Sequence, residues 1–167
     1  MNDLETPDDI LHYIKCKYTE SYIQYYKDIV PENLCDRLIS QDFNYQPSTY
    51  STHQGKQELK EPKEGWWNER VRMEEVWLLE NDKFYSDLKV VFNRVIREYS
   101  KEHELFSCKR HTDFRINKYS TDGFMSKHCD NIHHSHGQEY GFPQVSALLF
   151  LNDNYDGGEF VVADEVY

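Results

Sequence analysis

Residues 84–102 constrain the fold more than any other stretch. Leu88, Val91, Phe92, Val95, Ile96 and Tyr99 recur at spacings of three and four, which gathers them on one side of a helix. Lys89, Arg94, Arg97 and Glu98 fall on other faces. A stripe this wide must be buried, and the sequence on either side offers strands to bury it. Residues 70–79 alternate through Val71 and Met73, then Val76 and Leu78, with Glu74-Glu75 interrupting the pattern. Residues 111–119 interleave Phe114 and Ile116 with Arg115 and Asn117, the period of a half-buried strand. A helix between two such strands predicts an α+β domain, mainly β, in which the helix lies along a sheet and supports it. The stripe is then core and not a binding groove.

The N-terminal part is less regular. Residues 1–5 read as a frayed end, and Pro7-Asp8-Asp9 opens a short helix through Ile10, Leu11 and Ile14, with its acidic residues in the first turn. Residues 22–26 read as a strand. Residues 30–39 read as a helix with Pro31 near its start and Leu34, Leu38 and Ile39 along one side. Residues 47–65 are rich in Ser, Thr, Gln, Lys, Glu and Pro. They form either a solvated connector or a lid, since long structureless loops in compact domains are often functional. Of the adjacent Trp66 and Trp67, at least one belongs to the core.

The chemistry lies further on. The Asp122-Gly123 turn signal opens a predicted strand over 124–130. Side chains two apart on a strand share a face, so His128 and Asp130 project together while Cys129 points away. An imidazole and a carboxylate so placed are two thirds of the facial two-histidine, one-carboxylate set that holds Fe(II) and leaves positions open. His133, His134 and His136 follow in a loop. No Cys or carboxylate stands near them at structural-zinc spacing, so they read as a polar loop beside the motif. Residues 145–151 are a nearly continuous apolar run that predicts a buried strand. Residues 152–158 turn the chain, and Phe160, Val161 and Val162 begin another strand.

The ordered series Arg115-Ile116-Asn117-Lys118-Tyr119, Asp122-Gly123, His128-Cys129-Asp130, Ala147-Leu148-Leu149-Phe150-Leu151-Asn152 and Gly157-Gly158-Glu159 resembles the prolyl 4-hydroxylase-like branch of the Fe(II)/2-oxoglutarate-dependent dioxygenases. The resemblance implies a double-stranded β-helix (a cupin-like jelly roll) with supporting helices. Residues 1–167 would be one domain, with residues 1–110 as helical and strand support and 111–167 as the first strands of the jelly roll. It implies Fe(II), 2-oxoglutarate and O₂, with ascorbate as an accessory, and hydroxylation of a prolyl residue in a peptide or protein substrate. His128 and Asp130 would be catalytic metal ligands. Tyr119 supplies a phenol that the family turns toward 2-oxoglutarate, and Ser146 a further hydroxyl for that pocket. Phe150 stands where several prolyl hydroxylases carry a second tyrosine. The family's distal histidine and a basic residue come well beyond the Gly-Gly-Glu turn. They are not in this sequence, so the expectation is an incomplete domain, inactive alone, that oligomerises or is completed by another chain. The alternatives are an inactive jelly-roll binding scaffold or a cupin-like metal protein that is not an oxygenase.

Composition narrows the partners. A net charge of −11 repels a nucleic-acid backbone and an anionic membrane surface. Aromatic residues make up 15% of the chain, with 13 Tyr, 9 Phe and 3 Trp, so much of the core volume is aromatic. The four cysteines, Cys16, Cys35, Cys108 and Cys129, show no paired spacing. With no signal-peptide pattern at the start, they read as reduced thiols in a cytoplasmic protein. No apolar run is long enough to span a membrane.

Overall fold

The computed structural model describes residues 20–31, 33–48, 71–128, 130, 144–162 and 165–166. The readings for residues 1–19, for Trp66 and Trp67 with most of the polar loop before them, for Cys129, and for His133, His134 and His136 lie outside the described residues. Helix α1 is Leu34–Ile39 and helix α2 is Tyr85–Glu102. The strands are β1 (Gln46–Pro47), β2 (Val71–Arg72), β3 (Glu74–Leu78), β4 (Phe114–Lys118), β5 (Phe124–Met125), β6 (Val161–Val162) and β7 (Glu165–Val166). They form three small sheets, ordered β1-β3-β4, β2-β5 and β6-β7, and every pairing is antiparallel. The protein is α+β. Among the described residues, no helix is long and apolar enough to cross a membrane.

Helix α2 forms where the apolar stripe demands it, within one residue of the expected start. Its first turn is capped by Asp82, whose Oδ1 accepts the Phe84 N–H at 3.0 Å and whose carbonyl accepts the Tyr85 N–H at 3.1 Å. These satisfy amides that have no partner inside the helix. The buried side is Tyr85, Leu88, Val91 and Tyr99. Leu88 and Val91 pack with Leu34 and Leu38 of α1, Phe84 just before α2, Leu78 of β3 and Ile116 of β4 into one core, flanked by Val76, Phe92 and Phe114. Phe92 and Phe114 stack with centroids 5.3 Å apart. Each fully buried leucine contributes roughly 1.5–3 kcal/mol of transfer free energy.

The 70–79 stretch is two strands, not one. Val71 and Met73 are buried on one phase, Val76 and Leu78 face the core on the other, and the chain switches phase between Met73 and Glu74. The Glu74-Glu75 interruption is that switch. Strand β3 then pairs with β4 in the register Val76↔Ile116 and Leu78↔Phe114.

Four sequence expectations are corrected. Residues 22–26 form no strand; side chains anchor them instead. The Tyr99 hydroxyl donates to the Tyr22 carbonyl at 3.1 Å, and the His103 ring stacks on Tyr22. The helix expected over 30–39 begins only at Leu34, after a turn in which the Leu34 N–H bonds to the Pro31 carbonyl. The strand expected over 124–130 ends at Met125. Residues 145–151 form no ladder within the described residues. Leu149 and Leu151 pack on the core, but Leu148 and Phe150 are 54% and 52% exposed. Apolar content alone does not distinguish a ladder from a segment held by every second side chain.

Leu78→Ala is expected to destabilise the fold by about 2–5 kcal/mol, because it empties a packed site. Leu148→Ala, the same chemical change at an exposed position, is expected to cost less than about 1 kcal/mol. Urea denaturation of the two variants checks this, and equal midpoints would contradict the assigned core.

Candidate metal centre

Strand β4 delivers the chain to a tight turn at Ser120–Gly123. The Gly123 N–H donates to the Ser120 carbonyl at 2.8 Å, and Asp122 takes a positive φ of 58°, which Asp tolerates better than most residues. A Cβ on Gly123 would stand 2.8 Å from the Ser120 carbonyl oxygen and 3.1 Å from that of Arg72. Both obstacles are backbone, so only glycine lets the turn close against β2. Strand β5 then pairs Phe124 with Arg72 and Met125 with the buried Val71. Beyond Met125 the backbone leaves the ladder.

The side chains take over the ordering there. His128 Nδ1 lies 2.7 Å from the Ser126 carbonyl oxygen. A carbonyl oxygen only accepts, so Nδ1 carries the proton and Nε2 is left to face elsewhere. It faces Asp130 Oδ1 at 3.1 Å. The other carboxylate oxygen, Oδ2, accepts a hydrogen bond from the Ser146 hydroxyl. Ser126 Oγ is buried without a hydrogen-bond partner among the described residues. His128, Asp130 and Ser146 are therefore brought together, although the first two do not sit on a strand.

The donor set fits a divalent cation. Two ligand atoms about 2.1 Å from an ion and at right angles to each other stand about 3.0 Å apart, close to the observed 3.1 Å separation. A metal-binding imidazole usually donates its second N–H to a carbonyl or carboxylate, as His128 does. Among the described residues no group of three ligating side chains is assembled.

Tyr119 belongs to a second constellation, which sequence reasoning missed. Because Val76, Leu78, Phe114 and Ile116 face α2, alternation turns Glu75, Trp77, Arg115 and Asn117 to the opposite side of the sheet. The Glu75 carboxylate accepts from Ser48 Oγ at 2.7 Å and Trp77 Nε1 at 3.2 Å, and Arg115 Nη1 reaches it at 3.5 Å. The Arg115 guanidinium also lies over the Trp77 ring, 5.5 Å from its centroid. Burial pushes the half-exposed Tyr119 phenol up from its ordinary range. The Glu75 charge adds to this, and Arg115 with a hydrogen bond from Asn117 opposes it. The one signal in the sequence was Glu75 itself, a carboxylate standing inside an otherwise strand-like run.

Comparison with protein-family models, with curated proteins and with solved structures returns no match.

Two expectations follow from this face. Glu75→Ala removes the acceptor of the Ser48 hydroxyl, which is only 2% exposed, and should cost about 1–3 kcal/mol by urea denaturation. A cost indistinguishable from zero would mean that Ser48 finds another partner. Tyr119 holds its proton more tightly folded than unfolded, so its share of stability is complete below pH 10 and is lost as pH rises through the higher folded value. Tyr26, Tyr45, Tyr85 and Tyr99 are raised as well, burial being the largest cause in each. Tyr119→Phe should therefore make the alkaline fall of stability shallower without abolishing it. An unchanged pH profile for that variant would exclude the effect.

Proposed function

We propose that the chain carries the metal-binding strand region of an Fe(II)/2-oxoglutarate-dependent hydroxylase. Its fold would be a double-stranded β-helix and its substrate a peptide or protein, with a prolyl side chain as the target. The observation that carries the reading is the 3.1 Å approach of His128 Nε2 to Asp130 Oδ1 while Nδ1 is bonded to the Ser126 carbonyl. Two lone pairs do not face each other at that distance unless a cation or a proton lies between them. The motif's order after Tyr119 and before Gly157-Gly158-Glu159 supports iron among the cations.

Bound together, Fe(II), 2-oxoglutarate and O₂ supply an oxidant able to hydroxylate an unactivated C–H bond. The chain's own residues hold and orient. His128 and Asp130 offer two neighbouring donors, and the Ser126 carbonyl fixes the imidazole tautomer. The third protein ligand would be a distal histidine from elsewhere in the assembled domain. Tyr119, which lies with Glu75, Arg115 and Asn117, would be the phenol that the resemblance turns toward 2-oxoglutarate.

A second reading has its own support. Both Asp130 oxygens have protein partners, so a proton on His128 would make the pair an imidazolium–carboxylate contact in a jelly-roll binding domain.

The test compares variants in a polypeptide that also supplies the distal histidine and the basic residue for 2-oxoglutarate. Succinate formation from 2-oxoglutarate is expected only with Fe(II). His128→Ala should abolish it and Asp130→Ala nearly so, whereas Cys129→Ala should leave it close to the wild-type rate. Comparable succinate formation by wild type and His128→Ala would overturn the proposal.

A further inference from the structure

We infer that Ser146 is a positioning residue for Asp130, selecting the carboxylate oxygen that is offered to a divalent cation. The inference rests on the metal reading above and assigns a role within that site. Asp130 is half exposed and outside every ladder, so its backbone does little to fix the carboxylate. What fixes it is the Ser146 hydroxyl, sixteen positions along the chain, which donates to Oδ2. Oδ1 is left facing His128 Nε2.

Ser146 is itself held from the core side. Its segment is anchored by Leu149 and Leu151, which pack on the cluster of Leu34, Leu38, Leu78 and Leu88. His128 hangs from the other direction, through Ser126 and the β5–β2 pairing. The two donors thus reach one point from separate supports. A serine that moved with the His128 segment could not hold Asp130 against it.

The consequence is denticity. An aspartate with both oxygens available can chelate an ion and occupy two positions. With Oδ2 committed to a hydroxyl, Asp130 presents Oδ1 alone and keeps one more position open for a co-substrate. The hydroxyl has a single proton, and that proton is spent on Asp130. In this arrangement Ser146 has none left for a carboxylate of 2-oxoglutarate, so positioning the ligand and binding the co-substrate are exclusive roles.

Mn(II) alone, titrated into the chain and followed by paramagnetic broadening of the His128 imidazole resonances, tests this without turnover. Wild type should show saturable broadening that is absent from the corresponding titration of Asp130→Ala. Ser146→Ala should weaken the apparent affinity by roughly 10–100-fold, the range for losing a group that orients a ligand. Ser146→Thr, which keeps the hydroxyl, should restore it. Ser146 is exposed, so neither substitution disturbs the core. Wild-type affinity in Ser146→Ala would overturn the inference and leave the metal reading standing, and so would equal weakening by Ala and Thr. If wild type shows no Asp130-dependent broadening, both fall together.

Discussion

The burial of one face of the β3–β4 pair under α2 sets the position of everything else. Val76, Leu78, Phe114 and Ile116 supply that face, and Leu88, Val91 and Phe92 supply its cover. Alternation makes the choice binary. With those four residues inward, Glu75, Trp77, Arg115 and Asn117 must face outward. A slip of one residue would press Glu75 and Arg115 against Leu88, burying charges whose desolvation costs several kcal/mol each. The register Glu75↔Asn117 and Trp77↔Arg115 is therefore enforced from the opposite side of the sheet. The polar constellation around Glu75 exists because the apolar face leaves it no alternative.

The candidate metal centre is ordered on a different principle. It lies where the ladder stops, so backbone pairing cannot position its side chains. Hydrogen bonds do so in its place: Ser126 on His128, and Ser146 on Asp130. Each rests on a supported segment, one through the β5–β2 pair closed by Gly123, the other through Leu149 and Leu151 in the core. An exposed site with such supports suits a group that must accept a ligand from solvent. A cation bound between two such segments would also stabilise the fold, since an unfolded chain offers no preformed pair of donors.

Legibility in the sequence follows the same division. Helix α2 and strand β4 were readable because burial imposes a strict period on them, and that period survives in Leu88, Val91, Phe114 and Ile116. The nearness of His128 to Asp130 was readable too, but for a reason that did not hold. Strand geometry predicts the contact, whereas the structure makes it with coil and two hydrogen bonds. Residues 22–26 look like a strand because tyrosine and isoleucine favour strands. In the fold those tyrosines serve as anchors on Tyr99 and Glu102. The Glu75 constellation was hidden because its members come from three separate stretches, joined only by the pairing of β1, β3 and β4. No spacing within one stretch announces it.

The segment carrying Ser146 shows how one short run can serve core and site together. Burial alternates along its later part: Leu149 and Leu151 turn inward, while Leu148 and Phe150 stay exposed. Ser146 falls in phase with Leu148 and Phe150, and it is exposed as they are. Phe150 meets Phe160 edge to face, with centroids 6.1 Å apart, so two distant stretches share one apolar strip on that phase. A hydroxyl at position 150 would have offered a donor there. Phenylalanine offers only surface. The outward phase of the segment thus places one hydrogen-bond donor at Asp130 and apolar area beyond it. The inward phase, locked by two leucines, is what keeps that outward phase in place.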